Sequence, residues 1–205
     1  RDWSVTGVQT CALPISRGVE QVAELVERRA ALTAGRFRAT SVKIMQDGVA
    51  ENGTAALLEP YLDKCGHATD NRGHSFIDAD ALQDAVRALD AAGFQVHVHT
   101  IGDRAVRETL DAMVGTDPER RHHIAHLQLI HPDDVPRFGE LGVAANMQAL
   151  WACHDDQMDE LTLPFLGEER AGWQYPFGAL HRSGARMVAG SDWPVSTPDP
   201  LAAIH

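Results

Sequence analysis

The chain has 205 residues, with 18 Lys and Arg against 29 Asp and Glu, a formal net charge of −11, and 44% hydrophobic residues. This length is enough for one domain with a sizeable core, and the negative charge argues against a nucleic-acid partner, whose phosphates it would repel. No apolar run approaches the ~20 residues that span a bilayer, so a membrane role has no support. The three scattered cysteines build no disulfide framework and favour a reducing, cytoplasmic setting.

The first sixteen residues, RDWSVTGVQTCALPIS, show neither helical nor strand periodicity. They also lack the long apolar core of a secretory signal. The string resembles translated sequencing adapter fused to a truncated reading frame. We therefore expect residues 1–16 to be a non-native leader that packs poorly and contributes no strand, and we expect the folded domain to lie within 17–205.

From Arg17 onward, amphipathic helices alternate with β-branched and apolar strands. Strands are predicted at 39–46, 94–99, 123–128, 143–148 and 185–191. Helices are predicted at 18–33, 79–92, 103–114, from 132 onward, and at 174–183. The alternation implies parallel strands with right-handed crossovers. Five strands are too few for a closed eight-stranded barrel, which takes ~250 residues, so the pattern alone leaves open either a doubly wound sheet or part of a barrel.

Polar side chains stand at the carboxyl ends of the predicted strands, where parallel α/β folds form their active sites. His99 ends one strand, His126 lies on the next, and Asp192 follows the last. Lys43 lies mid-strand in 39–46, and its side chain is long enough to reach the carboxyl ends of the strands. We call this edge of the sheet the rim. Two imidazoles, a carboxylate and a lysine at one rim predict a divalent metal site.

The strings VKIMQDGV, HTIGDRAV, HLQ and GSDWPVSTPDP follow one another on successive strand ends. In this order they resemble the amidohydrolase superfamily, and more narrowly its amidohydrolase-3 (YtcJ-like) branch, which includes N-substituted formamide deformylases. The resemblance covers about residues 36–205. It implies an α/β fold, a partial TIM (β/α)8-type metal-dependent hydrolase barrel of which this chain holds strands four to eight, so 17–205 would be an incomplete barrel domain.

The resemblance also implies roles for four residues. Lys43 stands where the family's fourth strand can offer a carboxylated lysine that bridges two metals. His99 and His126 match the ligands of the fifth and sixth strands. Asp192 matches the eighth-strand aspartate, which binds metal and moves the proton. Carboxylation would turn Lys43 from a cation, which repels metal, into an anionic oxygen ligand.

The function implied is metal-dependent hydrolysis of a carbon–nitrogen bond, in a non-peptide amide or N-formyl compound. Metal-activated water would attack, with Asp192 as the proton shuttle. The expected cofactor is a divalent metal, zinc first, and the expected partner is a small amide-type substrate; a homodimer is compatible with this. Gln148, at the end of strand 143–148, and Trp193, beside Asp192, are candidate substrate contacts.

Each candidate ligand has a plain structural alternative. Lys43 could pair with Asp47, the two histidines could be core residues, and Asp192 could cap a turn. His97 shares a strand face with His99 and is interpreted as structural support. Three further histidines are also interpreted as structural: His122, His123 and His131.

Two departures from the family pattern limit what this segment is expected to do. Ala125 stands where the family often has a glutamate, and no first-strand HxH precedes Lys43. We therefore expect two metal ligands to be missing, the full-length parent to be the enzyme, and this fragment to be inactive. The alternative function is a non-catalytic fragment or pseudoenzyme scaffold that uses the barrel for binding or regulation. A flavodoxin-like sheet would need a glycine-rich phosphate loop, which the sequence lacks.

Overall fold

The structure, a computed structural model, describes residues 12–15, 18–32, 34, 38–199 and 201–202. Its strands are β1 (Ala12–Ile15), β2 (Ser41–Met45), β3 (Gln95–Thr100), β4 (His123–His126), β5 (Ala144–Met147) and β6 (Arg186–Ala189). Its α-helices are α1 (Val22–Leu32), α2 (Ala79–Ala91), α3 (Asp103–Ala112), α4 (Val135–Leu141), α5 (Asp156–Leu161), α6 (Leu163–Leu166), α7 (Glu168–Ala171) and α8 (Phe177–Arg182). Short 3-10 segments are Gly18–Gln21, Ala50–Asn52, Pro118–Arg120, Pro132–Asp134 and Ala149–Ala152.

The strands form one parallel sheet in the order β1-β2-β3-β4-β5-β6, so each pairs with its neighbour along the chain. A doubly wound sheet reverses its strand order at a switch point, whereas a (β/α) barrel adds each strand beside the last. No reversal occurs over the described residues. The order therefore confirms the predicted α/β class and agrees with a partial barrel.

The predicted elements are present, with shifts at their ends. Asp78 accepts a hydrogen bond from the amide of Asp80 and caps α2, as its position predicts. Residues 152–172, for which no element was predicted, contain the short helices α5, α6 and α7. Helix 174–183 begins only at Phe177, directly after Pro176. Among the described residues, no helix is both long and apolar enough to cross a bilayer.

One prediction about residues 1–16 is wrong. We expected no strand there, but Ala12–Ile15 pairs in parallel with 41–44 of β2. Pro14 had broken the periodic pattern, yet proline is tolerated in an edge strand, and β1 lies at the edge of the sheet. Residues 1–11 and 16 lie outside the described residues, and the non-native origin of the leader stays a prediction.

One face of the sheet forms the main core. Alternate residues along β2, β3, β4 and β5 are buried there together with apolar side chains of α2 and α3. On the sheet these residues are Val42, Ile44, Val96, Val98, Ile124 and Ala145. On α2 they are Leu82, Ala85, Val86 and Leu89, whose spacing places them on one helix face. The helices thus cover this face, and the intervening strand residues point to the other.

That other face is polar. Lys43, His97 and His123 are register partners on β2, β3 and β4. Lys43 Nζ lies 3.1 Å from His97 Nε2, and the His97 and His123 ring centroids are 4.2 Å apart. In a barrel this face is the interior, so imidazoles line it below the rim.

His122 joins three elements on the opposite side of the molecule from the rim. It is buried, its Nδ1 accepts a hydrogen bond from the Val96 amide at 3.0 Å, and its Nε2 lies 3.0 Å from Asp90 Oδ1 at the end of α2. Burial lowers its pKa below the usual 6.5, against the opposing effect of Asp90. These contacts support the structural role predicted for His122.

We expect His122→Gln to change the pH dependence of stability. A group whose pKa is lowered on folding binds more protons unfolded, so its contribution is present above about pH 6.5 and is lost as pH falls. Urea unfolding of both proteins at several pH values measures this, and the other buried histidines cancel in the difference. The free-energy advantage of the wild type should shrink below about pH 6.5. A difference that grows toward acid pH would contradict the assignment.

Candidate metal centre

The carboxyl ends of β3 and β4 bring two predicted ligands together. His99 is buried near the end of β3, and His126 is the last residue of β4. Their ring centroids are 4.4 Å apart in an edge-to-face arrangement. Their imidazoles therefore lie together on the rim, as we expected for residues at the carboxyl ends of neighbouring parallel strands.

His126 reaches this position through an unusual backbone conformation. Its register partner is Thr100, so strand alternation alone would turn its ring away from His99. His126 and Leu127 instead have φ of 78° and 55°, in the left-handed region that non-glycine residues rarely adopt. The His126 amide donates to Gln148 Oε1 at 2.8 Å, which holds the turn. Such strain is concentrated at functional sites.

The tautomer of His99 follows from its surroundings. Its Nε2 lies 3.0 Å from the carbonyl oxygen of Gly48 and 3.6 Å from Asp47 Oδ1. Both partners are acceptors, so Nε2 carries the hydrogen and Nδ1 carries a free lone pair. Burial lowers the pKa of His99 to about 4, which keeps the ring neutral at pH 7.

His126 is also neutral at pH 7. Burial lowers its pKa well below 6.5, and repulsion from the charge of Lys43, and from His99 where that ring is protonated, acts in the same direction. A metal displaces protons from its ligands, so neutral imidazoles are the form that binds. The two histidines therefore match the chemistry of a divalent metal site.

Asp47 is a site residue that the sequence analysis named only as an alternative partner of Lys43. It is completely buried, and its carboxylate accepts hydrogen bonds from the amides of Ala56, Ile101 and Gly102 at 3.0, 2.9 and 2.8 Å. Burial raises its pKa to about 7, and the hydrogen bonds oppose that rise. A Cβ on Gly102 would lie 2.1 Å from the Ala56 oxygen, so only glycine permits this approach. Gly102, within the HTIGD string, thus allows the loop after β2 to pack closely against the end of β3.

Lys43 does not pair with Asp47, contrary to its structural alternative. Its Nζ contacts His97, while the Asp47 oxygens bind backbone amides. Burial lowers the pKa of Lys43 to about 8, and the carboxylate of Asp192 opposes this effect. A larger share of Lys43 is therefore uncharged than in an exposed lysine.

Asp192 follows β6 with φ of 54°, a conformation that aspartate adopts more readily than most residues. Burial raises its pKa, and the charge of Lys43 lowers it. Lys43 also acts electrostatically on His99 and His126. Lys43 therefore acts electrostatically on all three of the other predicted ligands.

These donors do not yet enclose one ion. Within the described part of the chain, the His, Cys and carboxylate atoms that cluster within 4.8 Å belong to Asp63, Cys65 and His67, on another loop. Bonds from zinc to nitrogen and oxygen are ~2.0–2.2 Å long, so His99, His126 and Asp192 must approach one another to hold a shared ion. The donor chemistry fits a divalent metal, whereas the three donors do not lie within 4.8 Å of one another.

The two candidate substrate contacts differ in their surroundings. Gln148 is buried; its Oε1 accepts from the His126 amide, and its Nε2 donates to Asn146 Oδ1 at 3.2 Å. Its amide is thus engaged in joining the ends of β4 and β5. Trp193 is exposed and adjoins Asp192 in the sequence. Of the two, Trp193 has the freer surface.

Comparisons with known proteins agree on one family. A family model described as "Amidohydrolase family" matches residues 5–205. Protein LONG AFTER FAR-RED 3 of Arabidopsis thaliana is 34% identical over 172 residues, which are 80% of this chain and 28% of that protein. YtcJ of Bacillus subtilis (strain 168) is 28% identical over 167 residues, or 80% of this chain and 30% of YtcJ.

Solved structures show the same relationship. The crystal structure of an uncharacterized metal-dependent hydrolase from Pyrococcus furiosus matches with a TM-score of 0.75 and 29% identity. The match covers 94% of this chain and 38% of that one. The chain therefore spans about a third of the length of the proteins it resembles.

We expect Asp47→Ala to loosen the junction between the ends of β2 and β3. The change leaves three buried amides without an acceptor, and each such loss costs about 1–3 kcal/mol. Urea unfolding should show a large loss of stability, and hydrogen exchange at Ala56, Ile101 and Gly102 should accelerate. Asp70→Ala is the matched control, because Asp70 is exposed and lies, like Ala56, between β2 and α2. It should change the free energy of unfolding by no more than about 0.5 kcal/mol. Equal effects of both substitutions would contradict this account.

Proposed function

Because the chain belongs to the amidohydrolase family, in its amidohydrolase-3 (YtcJ-like) branch, we propose that its rim is the metal centre of a hydrolase. The bond cleaved is a carbon–nitrogen bond of a small molecule, in a non-peptide amide or an N-formyl compound. One observation carries the proposal: two neutral imidazoles, His99 and His126, face each other 4.4 Å apart at neighbouring strand ends. The charge of Lys43 acts on both rings, and Asp192 in turn acts on Lys43.

The ligands of this centre are His99 through Nδ1, His126 through a ring nitrogen, and Asp192 through a carboxylate oxygen. Imidazole and carboxylate are the usual donors of catalytic zinc. When bound, a divalent ion supplies Lewis acidity toward the substrate carbonyl and lowers the pKa of water to ~7. The Gly48 carbonyl keeps the hydrogen of His99 on Nε2, which leaves Nδ1 for the ion.

Asp192 is the proton carrier of the proposed reaction. A carboxylate oxygen of Asp192 takes a proton from the attacking water, and the same oxygen returns it to the departing nitrogen. The transfer is needed because an amine leaves poorly as an anion, whereas the protonated amine leaves readily. Asp192 lies three residues after the end of β6, and its left-handed backbone conformation differs from the extended conformation of the strand.

Lys43 is proposed to be carboxylated. An ammonium group at this position repels a metal ion, whereas a carbamate supplies an anionic oxygen. Carbamate formation needs the uncharged amine, and burial of Lys43 favours that form. The neutral His97 ring, 3.1 Å from Nζ, offers a hydrogen-bond partner to the modified group as it does to the amine.

Carbon-13 NMR with labelled bicarbonate tests the modification. Lys43 and Lys64 are the two lysines of the sequence, so the assignment is simple. We expect a carbamate resonance that Lys43→Arg abolishes, because a guanidinium does not form the adduct. Lys64→Arg is the matched control, since Lys64 is exposed, and it should keep the signal. A resonance that persists in Lys43→Arg would exclude Lys43 as the modified residue.

Asp192→Asn tests the proton carrier in the complete protein that includes this segment. An amide cannot accept the proton, so kcat on N-acyl and N-formyl substrates should fall by about 10²–10⁴-fold. Bound metal, measured by elemental analysis, should fall less because the histidines remain. Asp199→Asn, at an exposed position of the same loop, should keep both. Wild-type rates in Asp192→Asn would overturn the mechanism. The 205-residue chain alone should bind metal weakly and show no turnover.

A non-catalytic scaffold is the second candidate function. It is favoured by the absence of His99, His126 and Asp192 from the group of donors within 4.8 Å among the described residues. Metal-dependent turnover separates the two functions. A complete protein that hydrolyses none of the N-acyl and N-formyl compounds, with or without added zinc, would be the scaffold. Turnover that is lost on chelation and restored by zinc would identify the enzyme.

A further inference from the structure

The excursion between β2 and α2 carries a small closed hairpin, residues 62–68, which we call the 62–68 hairpin. An antiparallel bridge between Leu62 and Ala68 closes it. The Asp63 amide donates to the His67 carbonyl at 2.7 Å, and the Gly66 amide donates to the Asp63 carbonyl at 3.0 Å. Gly66 has φ of 84°, which lets the chain reverse within the turn.

The base of the hairpin is fixed to the rest of the protein. The Leu62 amide donates to the Phe165 carbonyl at 2.9 Å. The buried Tyr61 hydroxyl donates to the Ala55 carbonyl at 3.0 Å, and Thr69 Oγ1 donates to the Tyr61 carbonyl at 2.7 Å. Hydrogen bonds therefore anchor the base of the hairpin, and the side chains of its tip, residues 63–67, lie close together without a ligand.

Three different donor atoms meet on this tip. One ligand atom each from Asp63, Cys65 and His67 lies within 4.8 Å of the other two. Asp63 Oδ2 is 3.4 Å from His67 Nδ1, and the thiol of Cys65 is free and exposed. The spacing of two residues brings carboxylate, thiol and imidazole to one side of the hairpin. Oxygen, sulfur and nitrogen together form a donor set for zinc and similar ions, not for Mg²⁺ or Ca²⁺.

We propose that the 62–68 hairpin is a binding site for a zinc-like divalent ion, separate from the rim. Its ligands are Cys65 Sγ, a ring nitrogen of His67 and Asp63 Oδ2, with water in the remaining position. The other carboxylate oxygen, Oδ1, accepts the amides of Cys65 and His67 at 2.8 and 2.9 Å. It thereby orients Oδ2, as the outer partners of metal ligands do.

A turn stabilised by Asp63 explains only part of this arrangement. The two amide bonds to Oδ1 need an aspartate, but they do not need a thiol or an imidazole at the next alternate positions. Because the site draws no residue from the rim, it stands independently of the proposed hydrolase function.

Cobalt binding distinguishes this site from the rim. A cobalt–thiolate bond gives a near-ultraviolet charge-transfer band, and the rim donors include no thiol. The titration uses the 205-residue chain with Co²⁺ alone, in a Cys11→Ser background, because Cys65 and Cys153 are then the remaining thiols. We expect one band that saturates, has the same intensity per chain at all protein concentrations, and disappears when Zn²⁺ is added.

Two pairs of variants locate the ligands. Cys65→Ser should abolish the band, whereas Cys153→Ser should keep it, since Cys153 is the matched exposed thiol. His67→Ala should weaken cobalt binding, whereas His154→Ala should not; both imidazoles are exposed and pair with an aspartate. Absence of the band in the parent chain, its survival in Cys65→Ser, or dependence on protein concentration would each overturn the proposal.

Discussion

The conformation of the rim depends on the hydrogen bonds that the buried carboxylate of Asp47 accepts. A buried anion is costly unless donors surround it, and the amides of Ala56, Ile101 and Gly102 supply them. These bonds join the end of β2 to the end of β3. The same segment brings the Gly48 carbonyl onto His99. A loop junction therefore sets which nitrogen of His99 faces the site.

The alternation of side chains along the strands gives the sheet one apolar face and one polar face. Apolar residues of one parity are buried beneath the helices and stabilise the fold, so the other parity is free to carry polar groups. Lys43, His97 and His123 occupy that polar face, and their burial keeps the histidines uncharged. The 62–68 hairpin lies outside this scheme, because its donors come from a turn and are exposed.

Much of this was predictable because it depends on local pattern. Apolar alternation located β2 to β6. The carboxyl ends of the strands indicated His99 and Asp192 as candidate ligands, and their metal binding stays a prediction. The orientation of His126 was not predictable, because a left-handed backbone in a non-glycine residue leaves no mark in periodicity. Asp47 precedes a glycine and resembled an ordinary turn, since its three donors are distant in sequence. β1 was missed because four residues containing a proline are too short for a periodic signal.

We propose that the rim binds a metal ion through His99 Nδ1, because the Gly48 carbonyl occupies Nε2. Anomalous diffraction at the zinc edge, on crystals of the complete protein, measures this directly. We expect a zinc peak at ~2.0–2.2 Å from His99 Nδ1, from a His126 nitrogen and from an Asp192 oxygen, with His99 Nε2 still hydrogen-bonded to the Gly48 carbonyl. A peak bound to His99 Nε2, or no peak at the rim, would contradict it.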